Sequence, residues 1–179
     1  MKIIFEGSEE AFAHLATLIE GYTNNELQQL ISTAKNAMAY SYAPYSHFNV
    51  GAAVLAEKPN NSGMFGGANQ ENAAYSPTLC GESVAIARAV NDNFRLIRAV
   101  AVCGGPDSTA TETVRKAIAQ EWCAPCGRCR QMIHEFAHPD CLAILIRGDG
   151  LIRVLRFDEL FPMPFGPRSV GINPAAYRP

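Results

Sequence analysis

Residues 80–102 read CGESVAIARAVNDNFRLIRAVAV, and this stretch decides the fold class. In its first half Val84, Ala85, Ala89 and Val90 recur at the spacing of one helix face, and in its second half Leu96 to Val102 is β-branched and continuous enough for a buried strand. A helix feeding a buried strand is the unit of an α/β layer protein. Upstream, Val50 to Ala56 and Met64 to Ala68 read as a hairpin around the turn residues Pro59 to Gly63. Before them, Ser8 opens a periodic stretch closed by Gly21, and Thr23-x-x-Glu26 is a capping box for a helix with Leu27, Leu30, Ile31, Ala34 and Met38 on one side. Downstream, a second capping box, Thr109-x-x-Glu112, precedes the helix-like Val114 to Glu121, and another helix is expected from near Cys126 to Pro139. Leu142 to Arg147 and Leu151 to Leu155 then flank Gly148-Asp149-Gly150 as a strand pair, and the tail after Phe161 is rich in Pro and Gly. Helices alternating with five strand candidates, without a repeat or a low-complexity linker, predict one α/β layer domain.

The 179 residues match one domain, and 48% hydrophobic with 18% charged residues excludes a disordered, collagenous or coiled-coil chain. Net charge is −2 without a Lys/Arg cluster, so no long nucleic acid and no anionic membrane surface is expected as a partner. The segment Met1 to Gly7 turns acidic before a signal-peptide core could form, and no apolar run approaches the ~18 residues of a membrane span; a cytoplasmic protein is expected. Six cysteines in that compartment are core thiols or metal ligands rather than disulfides.

Chemistry concentrates in Cys80-Gly81-Glu82 and Pro125-Cys126-Gly127-Arg128-Cys129, each placed where a helix should begin. Free N–H groups and the positive dipole end favour a thiolate there, and Cys126 and Cys129, at i and i+3, share one helix face. Three thiolates, Cys80, Cys126 and Cys129, with a fourth position left for water make a catalytic rather than a closed structural zinc site. Glu82, two residues from Cys80, is placed to carry a proton rather than to ligate. A His or Cys followed by x-Glu, with Pro-Cys-x-x-Cys later, is the signature of the zinc deaminases.

The sequence resembles the cytidine deaminase family, in its short-chain, three-cysteine branch, over about residues 26–170. Tyr42-Ala43-Pro44-Tyr45-Ser46-His47-Phe48-Asn49-Val50-Gly51-Ala52-Ala53 is similar to the family's first-strand motif, Asn69-Gln70-Glu71-Asn72-Ala73-Ala74-Tyr75 to its ribose-binding segment, and Cys126-Gly127-Arg128-Cys129-Arg130-Gln131 to its second zinc motif. Phe165-Gly166-Pro167 resembles a tail motif. The resemblance implies an α/β/α layered domain with a mixed five-stranded sheet spanning 23–179, with 1–22 as an N-terminal extension. It implies zinc as cofactor and Glu82 as the catalytic proton carrier, acting on a small-molecule pyrimidine nucleoside. Phe48 would pack on the pyrimidine, Asn69 and Glu71 would bond the sugar hydroxyls, and the Gly81 carbonyl with the Cys126 N–H would hold the ring and its amine. Tyr75 is a candidate contact to substrate or an adjacent subunit, and Phe165 would enter a neighbour's site in a homotetramer. The implied reaction is hydrolytic deamination of cytidine and 2′-deoxycytidine. A blasticidin S deaminase, or a zinc-containing binding protein without catalysis, are the alternatives.

Other patterns carry less. His134-Glu135-Phe136-Ala137-His138 fits a metalloprotease spacing, but Pro139 ends the helix that both histidines need. Cys123-x-x-Cys126-x-x-Cys129 lacks the Cys-Pro of an iron–sulfur run, and Cys103 and Cys141 read as buried small hydrophobes. Residues 106–121 are additional to the family pattern. The three-cysteine branch usually reads Cys-Ala-Glu-Arg, whereas Gly81 and Ser83 stand here. Zinc with three thiolates carries a formal −1, so either another cation, Arg130 or Arg88, reaches the sulfurs, or the zinc water is less acidic; alternatively Ser83 merely caps the helix and opens space.

Overall fold

Thr23 Oγ1 accepts from the Glu26 amide at 3.2 Å while Glu26 Oε2 accepts from the Thr23 amide at 2.9 Å, the reciprocal cap its spacing predicts. It starts the helix Asn24–Met38, whose buried stripe is Leu27, Leu30, Ile31 and Ala34. The computed structural model describes residues 1–15 and 19–177. In chain order the elements are β1 (Ile3–Ser8), α1 (Glu9–Leu15), α2 (Asn24–Met38), β2 (Phe48–Lys58), β3 (Asn61–Ala68), α3 (Gly81–Asn91), β4 (Leu96–Pro106), α4 (Glu112–Ala119), α5 (Gly127–Phe136), β5 (Ala137–Ile146), β6 (Leu151–Arg156) and α6 (Phe157–Leu160).

The strands form one six-stranded sheet in the order β1-β6-β5-β4-β2-β3. β4 and β5 run parallel and the other pairs antiparallel, so the sheet is mixed. Alternate residues of the central strands serve opposite layers. Ala53, Leu55, Ala99, Ala101 and Ile144 meet α2 and Phe12 of α1, whereas Ala52, Val54, Val100, Val102 and Leu145 meet α3, α5 and α6 through Ala85, Ile86, Ile133, Phe157 and Leu160. Burial from both sides is why Leu96 to Val102 shows no polar alternation.

The α/β/α layering stands, but the sheet has six strands rather than five. The sixth is β1, antiparallel to β6 through Phe5↔Val154 and Gly7↔Ile152. As a partly exposed edge strand it has weak patterning, and its partner lies near the other end of the chain. The helix expected from Ser8 is present as α1; residues 16–18 of the predicted stretch lie outside the described residues. Thr111, not Thr109, caps α4, and Thr109 instead donates through its amide and hydroxyl to Asp107 Oδ1 at 2.8 and 2.5 Å. The helix expected to run to Pro139 stops at Phe136, and β5 begins at Ala137. Pro139 is tolerated there because the β4–β5 register breaks between Ile97↔Ala137 and Ala99↔Leu142, leaving 138–141 outside the regular ladder. Cys103 and Cys141 are buried, as expected of core thiols.

Candidate active site

Cys80 is the N-cap of α3 and Cys126 the N-cap of α5, with Cys129 in the first turn of the same helix. Neither cap is closed by a side-chain hydrogen bond, so the helix starts keep free N–H groups beside the sulfurs. Helices from distant parts of the chain thus point their N-termini at one place. Cys80 Sγ and Cys126 Sγ lie 3.9 Å apart, and the three sulfurs all fall within 4.8 Å of one another. Sulfurs about 2.3 Å from a tetrahedral zinc stand about 3.8 Å apart, so the donor set fits the ion in chemistry and in spacing. Zinc is the cofactor for which this cluster is built. Cys123 is not a member of the cluster, which removes the iron–sulfur spacing from consideration. His134 lies on α5 and His138 on β5, so the metalloprotease pair is split between two elements.

The Cys80 thiol is drawn down to about 6, first by hydrogen bonding with Cys129, then by Cys126 and by the nearby Arg128 charge. Arg128 Nη1 donates to the Thr78 carbonyl at 3.1 Å, which holds this cation close to Cys80. The two arginines that the sequence offered as compensating cations are engaged elsewhere. Arg130 donates to the carbonyls of Pro125 and Leu160 at 2.8 and 2.7 Å, and Arg88 to that of Gly66 at 2.6 Å. Ser83 is buried, with its hydroxyl 3.9 Å from Cys129 Sγ and 3.1 Å from Met132 Sδ. Arg128 was missed because a residue between two motif cysteines reads as filler until its side chain is seen to fold back on residue 78.

Glu82 is 3% exposed in the first turn of α3. Burial, and then the charge of neighbouring Cys80, raise its carboxyl above the usual range, so it holds a proton more readily than a surface glutamate. The Gly81 carbonyl lies against Gly67, inside the contact between α3 and β3. Phe48 opens β2, and its ring edge and Cys123 Sγ both pack over Gly104, where a Cβ would meet them at 2.8 and 2.9 Å. Asn69 is buried just past β3, where its Nδ2 donates to the Phe48 carbonyl at 2.9 Å and its Oδ1 accepts from the Val50 amide at 2.8 Å. Glu71 Oε2 accepts from the Tyr45 and Ser46 amides at 2.8 and 3.1 Å. Burial would raise its carboxyl, but these hydrogen bonds and that of the Ser46 hydroxyl outweigh it and hold Glu71 low. Tyr75 is exposed, at φ +58, with its ring centroid 6.1 Å from that of Tyr45. Phe165 is 66% exposed on the tail, tied by its carbonyl to Gln131 Nε2 at 2.9 Å.

Residues 24–145 match the family model described as the cytidine and deoxycytidylate deaminase zinc-binding region. A cytidine deaminase of Sporosarcina psychrophila is 35% identical over 140 residues, covering 78% of this chain and 91% of the relative. The crystal structure of cytidine deaminase from Burkholderia pseudomallei superposes with a TM-score of 0.64 at 34% identity, covering 77% of this chain and 98% of the other. A blasticidin-S deaminase of Bacillus cereus is 25% identical over 137 residues, covering 76% and 90% of the two chains. With its three thiolates at two helix starts, its mixed sheet and a family match over most of its length, the chain belongs to the cytidine and deoxycytidylate deaminase family.

Proposed function

We propose that this chain hydrolyses cytidine and 2′-deoxycytidine to uridine and 2′-deoxyuridine with release of ammonia. The observation that carries the reading is Glu82, a buried carboxyl one residue beyond the first turn's opening and not itself part of the cysteine cluster. A purely structural zinc has no use for it, and that argues against a binding protein without catalysis. When held by Cys80, Cys126 and Cys129, zinc supplies the Lewis acidity that makes a water nucleophilic near neutral pH. Glu82 accepts one proton of the water as it adds at C4 and delivers it to N3, then takes the remaining proton of the new C4 hydroxyl as the carbonyl forms and passes it to the departing amine. Its raised proton affinity suits both directions of transfer. Phe48 presents a ring face to the pyrimidine, with the Cys126 N–H and the Gly81 carbonyl holding ring and amine. Asn69 keeps one amide N–H beyond its bond to Phe48 for a sugar hydroxyl, and Glu71 keeps its second oxygen.

The assay is ammonia release from cytidine by the zinc-loaded protein and by Glu82→Gln. Wild-type turnover with a loss of about 10²–10⁴-fold or more in a variant that keeps its zinc supports the reading; equal turnover refutes it. The likeness to a blasticidin-S deaminase makes blasticidin S the second substrate to assay, and a preference for it over cytidine would shift the assignment. We also assign residues 23–179 as the catalytic domain with 1–22 as an extension, in keeping with a family match that begins at residue 24. A homotetramer in which the exposed Phe165 completes a neighbour's pocket, with Tyr75 beside it, and a cytoplasmic role in pyrimidine salvage complete the proposal. Among the described residues no helix is long and apolar enough to cross a membrane.

A further inference from the structure

Pro44, Tyr45, Ser46 and His47 between α2 and β2 are all exposed, so apolar packing does not fix this loop. Yet it leads directly into Phe48, and two of its amides hold Glu71. The loop ends at His47, close enough to Glu71 to help hold its carboxyl low, with its backbone at φ +56 and its amide donating to the Ala43 carbonyl at 3.0 Å. Asp107, immediately after β4, grips that end twice. Its amide donates to the His47 carbonyl at 2.8 Å, and its Oδ2 meets His47 Nδ1 at 3.0 Å. The other carboxylate oxygen is committed to its own turn, accepting from Thr109, so the carboxylate is presented to the imidazole in one orientation.

We propose that Asp107 is a positioning residue for the sugar end of the site, acting through His47 and the 44–47 loop on Glu71. Residues 106–121, additional to the family pattern, thereby gain a function at their first turn: they fasten from outside a loop that the core does not hold. The inference rests on the proposed contact of Glu71 with the sugar hydroxyls. Its consequence is selective, since the cysteine cluster and Glu82 stand on α3 and α5, which this tie does not touch.

The test is steady-state kinetics of the zinc-loaded full chain with cytidine and with 2′,3′-dideoxycytidine, which lacks the 2′ and 3′ hydroxyls. Asp107→Ala and His47→Ala should each raise KM for cytidine by about 1.5-fold to fivefold, the range that an exposed pair commands, with kcat and zinc content retained. The double variant should do no more than either single one, because both break the same tie. Asp107→Asn, which keeps an oxygen for Thr109 and gains an N–H for the imidazole, should restore KM. KM for dideoxycytidine should rise by clearly less, because Phe48, though it follows the loop, is itself anchored in β2 opposite Pro106. An unchanged KM for cytidine, an equal rise for dideoxycytidine, or a fall in kcat of the same size would overturn the proposal. Glu71→Ala run alongside separates the two readings: if it leaves KM for cytidine untouched, the sugar role of Glu71 fails and the tie falls with it.

Discussion

Gly67→Ala tests whether the seat of α3 on the sheet sets the chemistry. A Cβ at residue 67 would lie 2.4 Å from Ala85 N and from Gly81 O, and 2.9 Å from Val84 Cβ. The first two are helix backbone, so no side-chain rotation relieves them. Ordinary contact needs 3.4 Å or more, and α3 must therefore retreat by about 1 Å. That helix carries Cys80 at its cap and Glu82 in its first turn, while the other two sulfurs belong to α5. A 1 Å displacement of reacting groups costs about 10²-fold in rate, and the overpacking itself about 1–3 kcal/mol of stability. Gly66→Ala is the internal control. Its Cβ would face α2, meeting Thr33 Cγ2 at 3.2 Å and Ala37 Cβ at 3.4 Å, contacts that small side-chain shifts absorb. Denaturant unfolding, zinc per chain and kcat/KM for cytidine are measured on both. Gly67→Ala should lose about two orders of magnitude in kcat/KM with weakened zinc retention, and Gly66→Ala should stay within a few-fold of wild type. Wild-type kcat/KM and zinc content in Gly67→Ala would show that the seat of α3 on the sheet does not set the chemistry.

Cys80→Ala, Cys126→Ala and Cys129→Ala should each strip zinc and activity, whereas Cys123→Ala keeps the metal; metal analysis after dialysis reads this, and loss of zinc in Cys123→Ala alone would reverse the ligand assignment. Asn69→Ala should weaken nucleosides far more than free cytosine and should also cost about 1–3 kcal/mol of fold stability, because the Phe48 carbonyl loses its partner. Glu71→Ala should show the same preference between substrates, and equal losses on nucleoside and free base would contradict it. Tyr22 donates its hydroxyl to the Arg98 carbonyl at 2.5 Å, and burial above all pushes its pKa up to about 12. The folded value exceeds the unfolded one of about 10, so its contribution is complete below pH 10 and is lost as pH rises toward 12. For a half-buried group this amounts to about 1–2 kcal/mol, and Tyr22→Phe should flatten the fall in stability across that window; an unchanged alkaline slope would show that Tyr22 is not its source.

Where sequence reading succeeded, the governing interactions are local. The Thr23–Glu26 cap closes within one turn, the apolar stripe of α2 repeats within four residues, and each motif cysteine sits at a helix start whose free N–H groups are set by its own neighbours. Those signals suffice for α2 and α3, the hairpin, the buried strand β4 and, through two separated cysteine motifs, the three cysteines that the fold brings together. Tertiary structure decided whatever depends on partners far along the chain. β1 exists because β6 offers it an edge, and Phe5 pairs with Val154 across nearly the whole sequence. The choice of Thr111 over Thr109 as cap follows from Asp107, which takes Thr109 for the turn that grips His47. Arg128 comes near Cys80 through its bond to the Thr78 carbonyl where no spacing rule points to it, and Gly67 matters because a helix fourteen residues on rests its backbone there. Sequence periodicity reports which face of an element is apolar; it carries no distance between elements, and a catalytic site assembled from two helix ends is made of such distances.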